Sequence, residues 1–238
     1  MATCQLAVQA GSWSDIFPEN QTTQQQSTVF MKKLLAIAIS NIAYMRVLFP
    51  EKAFGDKCLE DLSLKVLKND KSCPGAAQMI AWLKGVFDAL DKKYLRMLIF
   101  GIQSGTCDPD SFLEMYTFRF SYNDKIELEI QSKNGKLSLI STANETKKAT
   151  VLLLSRLVAL MDTLRPLPPD TRTTMKLLYY DDVTPADYEP PGFIAAKSSF
   201  ICVEGNPTKF RFQSVSTAFH SMQVTARGYR ILTLHFLK

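Results

Sequence analysis

Polar and apolar positions alternate strictly over Leu113–Tyr122, placing Tyr116, Phe118, Phe120 and Tyr122 on one face of a strand. Thr173–Tyr180 has the same period, with Met175, Leu177 and Tyr179 on one side and Lys176, Leu178 and Tyr180 on the other. Tyr94–Gln103 reads as a mostly apolar strand closed by Ser104-Gly105 and Asp108-Pro109. The Asn123-Asp124-Lys125 turn predicts a hairpin into Ile126–Gln131, with Ile126, Leu128 and Ile130 facing inward, followed by a polar loop through Asn134-Gly135.

Elsewhere the spacing is helical. Thr22 with Gln25, or Thr23 with Gln26, has capping-box spacing ahead of an apolar run that Pro50 stops, which predicts a long central core helix. A second helix is expected from Asp56, with Leu59, Leu62, Val66 and Leu67 as its stripe and Asn69-Asp70 as its end. Pro74 suits the first turn of a third, whose stripe is Met79, Leu83, Val86, Phe87 and Leu90 with Trp82 at its edge. Thr142 and Glu145 give capping spacing for a fourth that ends before Pro166. Together these predict an α+β fold, helices gathered on one face of an antiparallel sheet that has an exposed edge.

After Tyr180 no regular strand can continue, because Asp181-Asp182 is followed by Pro185, Pro190, Pro191 and Gly192. Strand-like runs resume at Phe200–Val203 and Lys209–Val224, so the chain leaves the core and returns to pair elsewhere, as a strap over a sheet edge would.

Composition narrows the chemistry. At 238 residues and 46% hydrophobic the chain can bury one large core. A net charge of +5 with scattered Lys and Arg reads as a solvated face more than a nucleic-acid surface. Five widely spaced cysteines without C-x-x-C point to neither disulfides nor zinc, and the start of the chain lacks the features of a secretory signal. The apolar run between Lys33 and Arg46 is too short to span a bilayer, so no membrane role is expected. Met1–Gln26, rich in Gln, Thr and Ser, reads as a mobile arm.

Catalytic signals are absent: no Walker loop, dinucleotide turn, H-E-x-x-H or G-x-S-x-G occurs, and the Gly192 to Lys197-Ser198 run lacks the second phosphate-cradling glycine. His220 and His235 are the only near-neutral bases; His220 is expected to hydrogen-bond locally in a strand. Asp181 and Asp182 diverge from a strand end and suggest polarity more than a metal site. No enzyme activity and no cofactor or metal are expected. The pattern alone supports a domain that takes up an extended peptide as an added strand.

The motifs TMKLLYYDDVTPADYEPPGF, VSTAFHSMQV, MKKLLAIAISNIAYMRVLFPE, FGDKCLEDL, DKSCPG and FDALDKKYLRM are collinear from about Phe17 to Val224. Their wording resembles the HORMA domain of vertebrate meiotic chromosome-axis proteins. The resemblance implies one domain over 23–238 after an arm at 1–22, with a core to residue 180 and a C-terminal safety belt over about 181–231. It implies that closure-motif peptides of axis proteins or of other HORMA-domain proteins are clasped beside the late central strand. The candidate peptide-binding residues are Met175, Leu177, Leu178, Tyr179 and Tyr180 on that strand and Phe210, Phe212, Ser216, Phe219, His220 and Met222 in the belt. It further implies residence in the nucleus on meiotic chromosomes, indirect contact with chromatin, roles in recombination, synapsis and checkpoint signalling, and remodelling by an AAA+ ATPase. The family continues past the belt into a tail carrying its own closure motif, whereas this chain stops at Lys238, so it is expected to receive a motif. The alternatives are a nucleic-acid-binding domain, or a HORMA adaptor in spindle-checkpoint or DNA-repair signalling.

Overall fold

A computed structural model describes residues 11–105, 111–123, 129–132, 135–138, 143–196, 202–203 and 205–230. Helix α1 (Gln24–Met45) starts at Thr23, the second of the two capping alternatives: Thr23 Oγ1 accepts from the Gln26 amide at 3.2 Å and Gln26 Oε1 accepts the Thr23 amide at 3.2 Å. It ends at Arg46, and Val47 then adopts φ 54°. By length and hydropathy α1 is apolar enough to cross a bilayer. Here Phe30, Met31, Leu34, Leu35, Ile39 and Ile42 are fully buried within the protein, as the central core helix requires.

Where a second helix was expected, the chain forms an antiparallel hairpin, β1 (Phe54–Leu59) and β2 (Leu62–Leu67), turning at Glu60 with φ 53°. Leu62, Leu64 and Val66 alternate with Ser63 and Lys65, a period-two pattern that competed with the helical one. Tertiary contacts decide between them. Asn41 of α1 both donates to the Lys65 carbonyl (3.2 Å) and accepts the Lys65 amide (3.1 Å), and Ser40 Oγ accepts the Leu67 amide. These buried polar groups of α1 bind β2 in its extended form.

The N-terminal segment also differs from expectation. Residues 11–22 are not a free arm: Phe17 is 1% exposed, its ring lies 5.2 Å from Phe30 and 4.6 Å from Trp13, and Gly11 bridges to Glu60. Three large apolar residues, Trp13, Ile16 and Phe17, anchor this polar-looking stretch to the core.

Helix α2 (Pro74–Asp91) begins with proline in its first turn, as expected. The remaining elements in chain order are β3 (Leu95–Ser104), β4 (Ser111–Phe112), β5 (Glu114–Tyr122), β6 (Glu129–Ser132), β7 (Gly135–Ser138), α3 (Ala143–Met161) and β8 (Thr171–Tyr179). Then come β9 (Cys202–Val203), β10 (Thr208–Arg211), β11 (Val215–Ser216) and β12 (His220–Gly228). The principal sheet runs β10-β12-β5-β3-β8 with β11 beside β12, all antiparallel. Among the described residues the expected hairpin after β5 does not form: β5 pairs with β3 and β12, while β6 pairs with β7. The partner of β5 thus comes from about a hundred residues further along the chain, a register that local turn signals do not encode. Gly135, expected in a polar loop, opens β7. Ile126 and Leu128, the Asp108-Pro109 stop and the Thr142 cap lie outside the described residues.

One face of the sheet, with Phe100, Tyr116, Phe118, Met175 and Val224, packs on the three helices. The other carries a smaller cluster in which Ile99 and Met115 are covered by Phe112 and Val203 from the short parallel pair β4–β9.

Candidate peptide-binding site

Strand β8 ends one side of the sheet, and among the described residues no strand pairs with its outer edge. Its inner edge pairs with β3 through nine residues, so Met175 and Leu177 face the helix layer opposite Phe100 and Leu98, and Lys176 and Leu178 face the other way opposite Ile99 and Met97. The outward N–H and C=O groups of β8 are a template for an added strand.

The chain leaves β8 through a tight turn. The Tyr180 amide donates to the Tyr94 carbonyl at 2.9 Å and its hydroxyl to the Phe120 carbonyl at 2.8 Å, while the Thr184 amide returns to the Tyr180 carbonyl at 3.1 Å. Residues 185–193 then lie against α2. Tyr188 donates its hydroxyl to Asp88 Oδ2 at 2.6 Å, packs edge-on against Tyr94 and Tyr179, and lies beneath the Lys92 ammonium at 4.8 Å. Pro191 and Phe193 fill the notch left by Gly85 in the middle of α2, and Gly192 (φ 83°) passes Trp82. Between this segment and β8 is a cavity of about 460 Å³ lined by Met175, Leu177, Tyr179, Tyr188, Pro190 and Phe193 among others.

Electrostatics reinforce the attachment. Asp88 is held below the ordinary aspartate range by the Lys92 ammonium first and the Tyr188 hydroxyl second. Burial, then the Asp88 carboxylate, raises Tyr188 well above the ordinary phenol value, and burial pushes Tyr179 up to about 12. Both phenols therefore stay neutral donors at physiological pH. Asp181 and Asp182 are exposed, and no His/Cys/Asp/Glu cluster able to hold a metal occurs among the described residues.

From the helix side of β8 the chain reappears at Val203 on the opposite face, against Ile99 and Met115, and then at β10 and β12 on the far side of the sheet. Lys197, Ser198 and the rest of residues 197–201 lie outside the described residues. The described segments on the two faces are each fastened, residues 185–193 on α2 and Val203 with the strands that follow it on the sheet. The far fastening is substantial: β12 pairs with β5 from Tyr122 to Met115, the Thr146 hydroxyl donates to the Ser216 carbonyl at 2.7 Å, and the Arg165 amide donates to the Tyr229 carbonyl at 2.9 Å.

The structure divides the eleven sequence-selected residues into two sets. Met175, Leu177, Leu178, Tyr179 and Tyr180 lie on or just after β8, and three of them line the cavity. Phe210, Phe212, Ser216, Phe219, His220 and Met222 lie across the sheet with β5 and β3 between, and none of these six borders the cavity. Phe212 and Met222 are core residues, and Phe210 is half-buried under the Arg230 guanidinium, 5.0 Å from its ring. His220 is 2% exposed, and its ring reaches across to α1, where Nδ1 lies 2.6 Å from Ser27 Oγ. Within the second set, the Ser216 carbonyl meets Thr146 of α3, His220 meets Ser27 of α1, and Phe210, Phe212 and Met222 pack into or against the core. The Gly85 notch and the Tyr188–Asp88–Lys92 group went unpredicted; an isolated glycine inside the α2 pattern was the available signal.

A buried ion pair braces the sheet from beneath. Arg46 donates to both Glu114 oxygens, at 2.5 and 3.0 Å, and also to the Arg165 carbonyl, while the Tyr116 hydroxyl donates to Glu114 at 2.6 Å. Burial pushes the Glu114 carboxyl up against the opposing pull of Arg46 and Tyr116.

Residues 27–220 match the HORMA domain family model. The chain is 44% identical over 227 residues to HORMA domain-containing protein 1 of Homo sapiens, covering 94% of this chain and 57% of that protein. It is 44% identical over 240 residues to HORMA domain-containing protein 2 of Mus musculus, covering 98% of this chain and 78% of the relative. The chain thus spans little more than half the length of the first of these relatives. Among solved structures, C. elegans HTP-2 bound to HTP-3 closure motif 1 superposes with a TM-score of 0.80 at 17% identity, covering 94% of this chain and 95% of that one. HTP-2 bound to the HIM-3 closure motif superposes with a TM-score of 0.78 at 17% identity, covering 94% and 99%. At these identities the likeness is one of fold. With a six-stranded antiparallel sheet backed by helices, an edge strand whose continuing chain packs on α2 and later returns to the far side of the sheet, and relatives 44% identical along nearly its whole length, the chain belongs to the HORMA-domain family.

Proposed function

We propose that this chain is a non-enzymatic adaptor that clasps a closure-motif peptide as an added strand on β8, beneath the belt formed by residues 181–231. The carrying observation is the β8 edge, left unpaired among the described residues, whose continuing chain docks on α2 and returns on the far side of the sheet. Main-chain groups of β8 supply affinity; Met175, Leu177 and Tyr179 shape the pocket on the helix side, and Leu178 and Tyr180 contact the other side of the ligand. Phe210, Phe212, Ser216, Phe219, His220 and Met222 contribute by holding the belt closed.

HTP-2 and HTP-1, which share the fold, carry closure motifs of HTP-3 and HIM-3 in their solved structures. Together with the resemblance to vertebrate axis proteins, this supports ligands drawn from meiotic axis proteins or other HORMA-domain proteins. It also supports residence on meiotic chromosomes with roles in recombination, synapsis and checkpoint signalling, and release by an AAA+ ATPase. Because an encircled ligand departs only when the belt opens, its lifetime should exceed what its affinity suggests. The test is binding of axis-protein peptides with a proline scan: affinity falls at alternate ligand positions if a strand is added, and an indifferent scan contradicts the reading.

A further inference from the structure

The sheet has a second open edge. Strand β10 ends it on the side away from β8, and among the described residues nothing pairs with its outer side. The side chains around it are of one sign. Lys209 and Arg211 point to one face, where Lys209 stands directly opposite Arg227 of β12. Toward the helix side a cavity of about 460 Å³ is lined by Arg156 of α3, Lys209, Phe210, Arg211 and Arg230, with no carboxylate in its lining among the described residues. The carboxylate nearest in sequence, Asp162, is not part of that lining. Arg156, Lys209, Arg211, Arg227 and Arg230 are all exposed, and the ion pairs among the described residues include none of the five.

Like charges directly opposite on neighbouring strands are destabilising, and a cluster with no counter-charge among the described residues is better satisfied by an anion from outside. The backbone narrows the choice of anion. An added strand would send alternate side chains to the two sides of β10, and both sides are basic, so its charges must be acidic at successive positions. A nucleic-acid duplex offers phosphates but cannot satisfy the outward N–H and C=O groups of an edge strand. The geometry points to a second peptide site, on β10, that takes an acidic, extended segment of a partner protein, independently of any ligand at β8.

The test uses the full chain and a labelled poly-glutamate peptide, followed by fluorescence anisotropy. Binding is expected, weakening as salt is raised. Lys209→Glu with Arg211→Glu, and separately Arg156→Glu with Arg230→Glu, should each lower affinity by about tenfold or more, as expected for reversing contact charges. Arg96→Glu, an exposed cation outside the cluster, should leave it unchanged. Two pairs on different elements keep the test open should one fail to fold, as judged by thermal melting. Methylating alternate amides of the peptide should abolish binding, because strand addition uses those groups. The inference is overturned if both charge reversals leave affinity unchanged, if the methylated peptide binds as well as the parent, or if duplex DNA binds through these residues while the peptide does not.

Discussion

The main chain of Pro191 occupies the space that a side chain on Gly85 would need. A Cβ built on Gly85 collides with the Pro191 carbonyl oxygen and comes within 2.9 Å of the Phe193 ring. Glycine inside an exposed helix is worth about 1 kcal/mol less than alanine, so the residue weakens α2 locally while admitting the belt. Gly85→Ala should therefore separate two properties. Denaturant stability of the core should be unchanged or slightly raised, whereas cleavage within residues 181–196 and peptide dissociation should both accelerate. Limited proteolysis alongside a urea melt checks this; a belt that stays protected in the variant would contradict it.

Tyr188 is the second fastening. Tyr188→Phe removes a hydrogen bond to a charged acceptor at 2.6 Å and should weaken belt docking by about 1 kcal/mol, read as faster hydrogen exchange over residues 185–193. The pH dependence follows from Asp88, whose folded pKa lies below its unfolded value. Its contribution is present above the ordinary aspartate pKa and is lost as pH falls through the lowered folded value. Belt opening in the parent protein should rise in that acidic window, and the rise should be smaller in Tyr188→Phe and in Lys92→Met.

Arg46 and Glu114 present the opposite case. Side chains this deeply buried leave a costly charge behind when one partner goes, so Arg46→Met should destabilise the fold by about 3–5 kcal/mol. Arg46→Met with Glu114→Leu should recover much of that loss. Glu114 binds its proton more tightly in the folded state, so the single variant should be worst near neutral pH and improve relative to the parent as pH falls. Urea melts of both variants across pH decide the matter, and a flat pH response of Arg46→Met would contradict a charged Glu114.

Packing of Trp13 and Phe17 redefines the arm. Phe17→Ala should cost about 3–5 kcal/mol, measured by denaturation, as for a buried core aromatic. Deleting residues 1–22 would damage the core, so the proposal that an AAA+ ATPase releases the ligand by pulling on the N-terminal end is tested by deleting residues 1–10 alone. Spontaneous peptide release should be unchanged and ATP-driven release should fail; equal ATP-driven release would exclude that role.

Elements with strong local signals were legible in the sequence: α1 from its cap and apolar run, α2 from Pro74 and its stripe, β5 from alternation, and the break after Tyr180 from its prolines. Two errors share one cause. In Phe54–Leu67 two periodicities compete, and Asn41 and Ser40, distant in sequence, select the strand. The partner of β5 is likewise chosen by long-range pairing with β12. At the candidate site the β8 residues were legible because they alternate on an apolar strand. The returning strand-like runs were legible, yet their distance from β8 was not, since strand order is a property of topology and not of pattern. His220 looked local for the same reason.

The central claim is that a ligand adds to β8 inside the belt, and amide exchange of the peptide-loaded chain measures it most directly. On loading a bound axis-protein peptide, alternate amides of Thr171–Tyr179 should gain protection together with residues 185–193, and that protection should persist for the lifetime of the complex. Protection confined to another part of the chain, or gained at β8 without any change in the belt, would contradict the account.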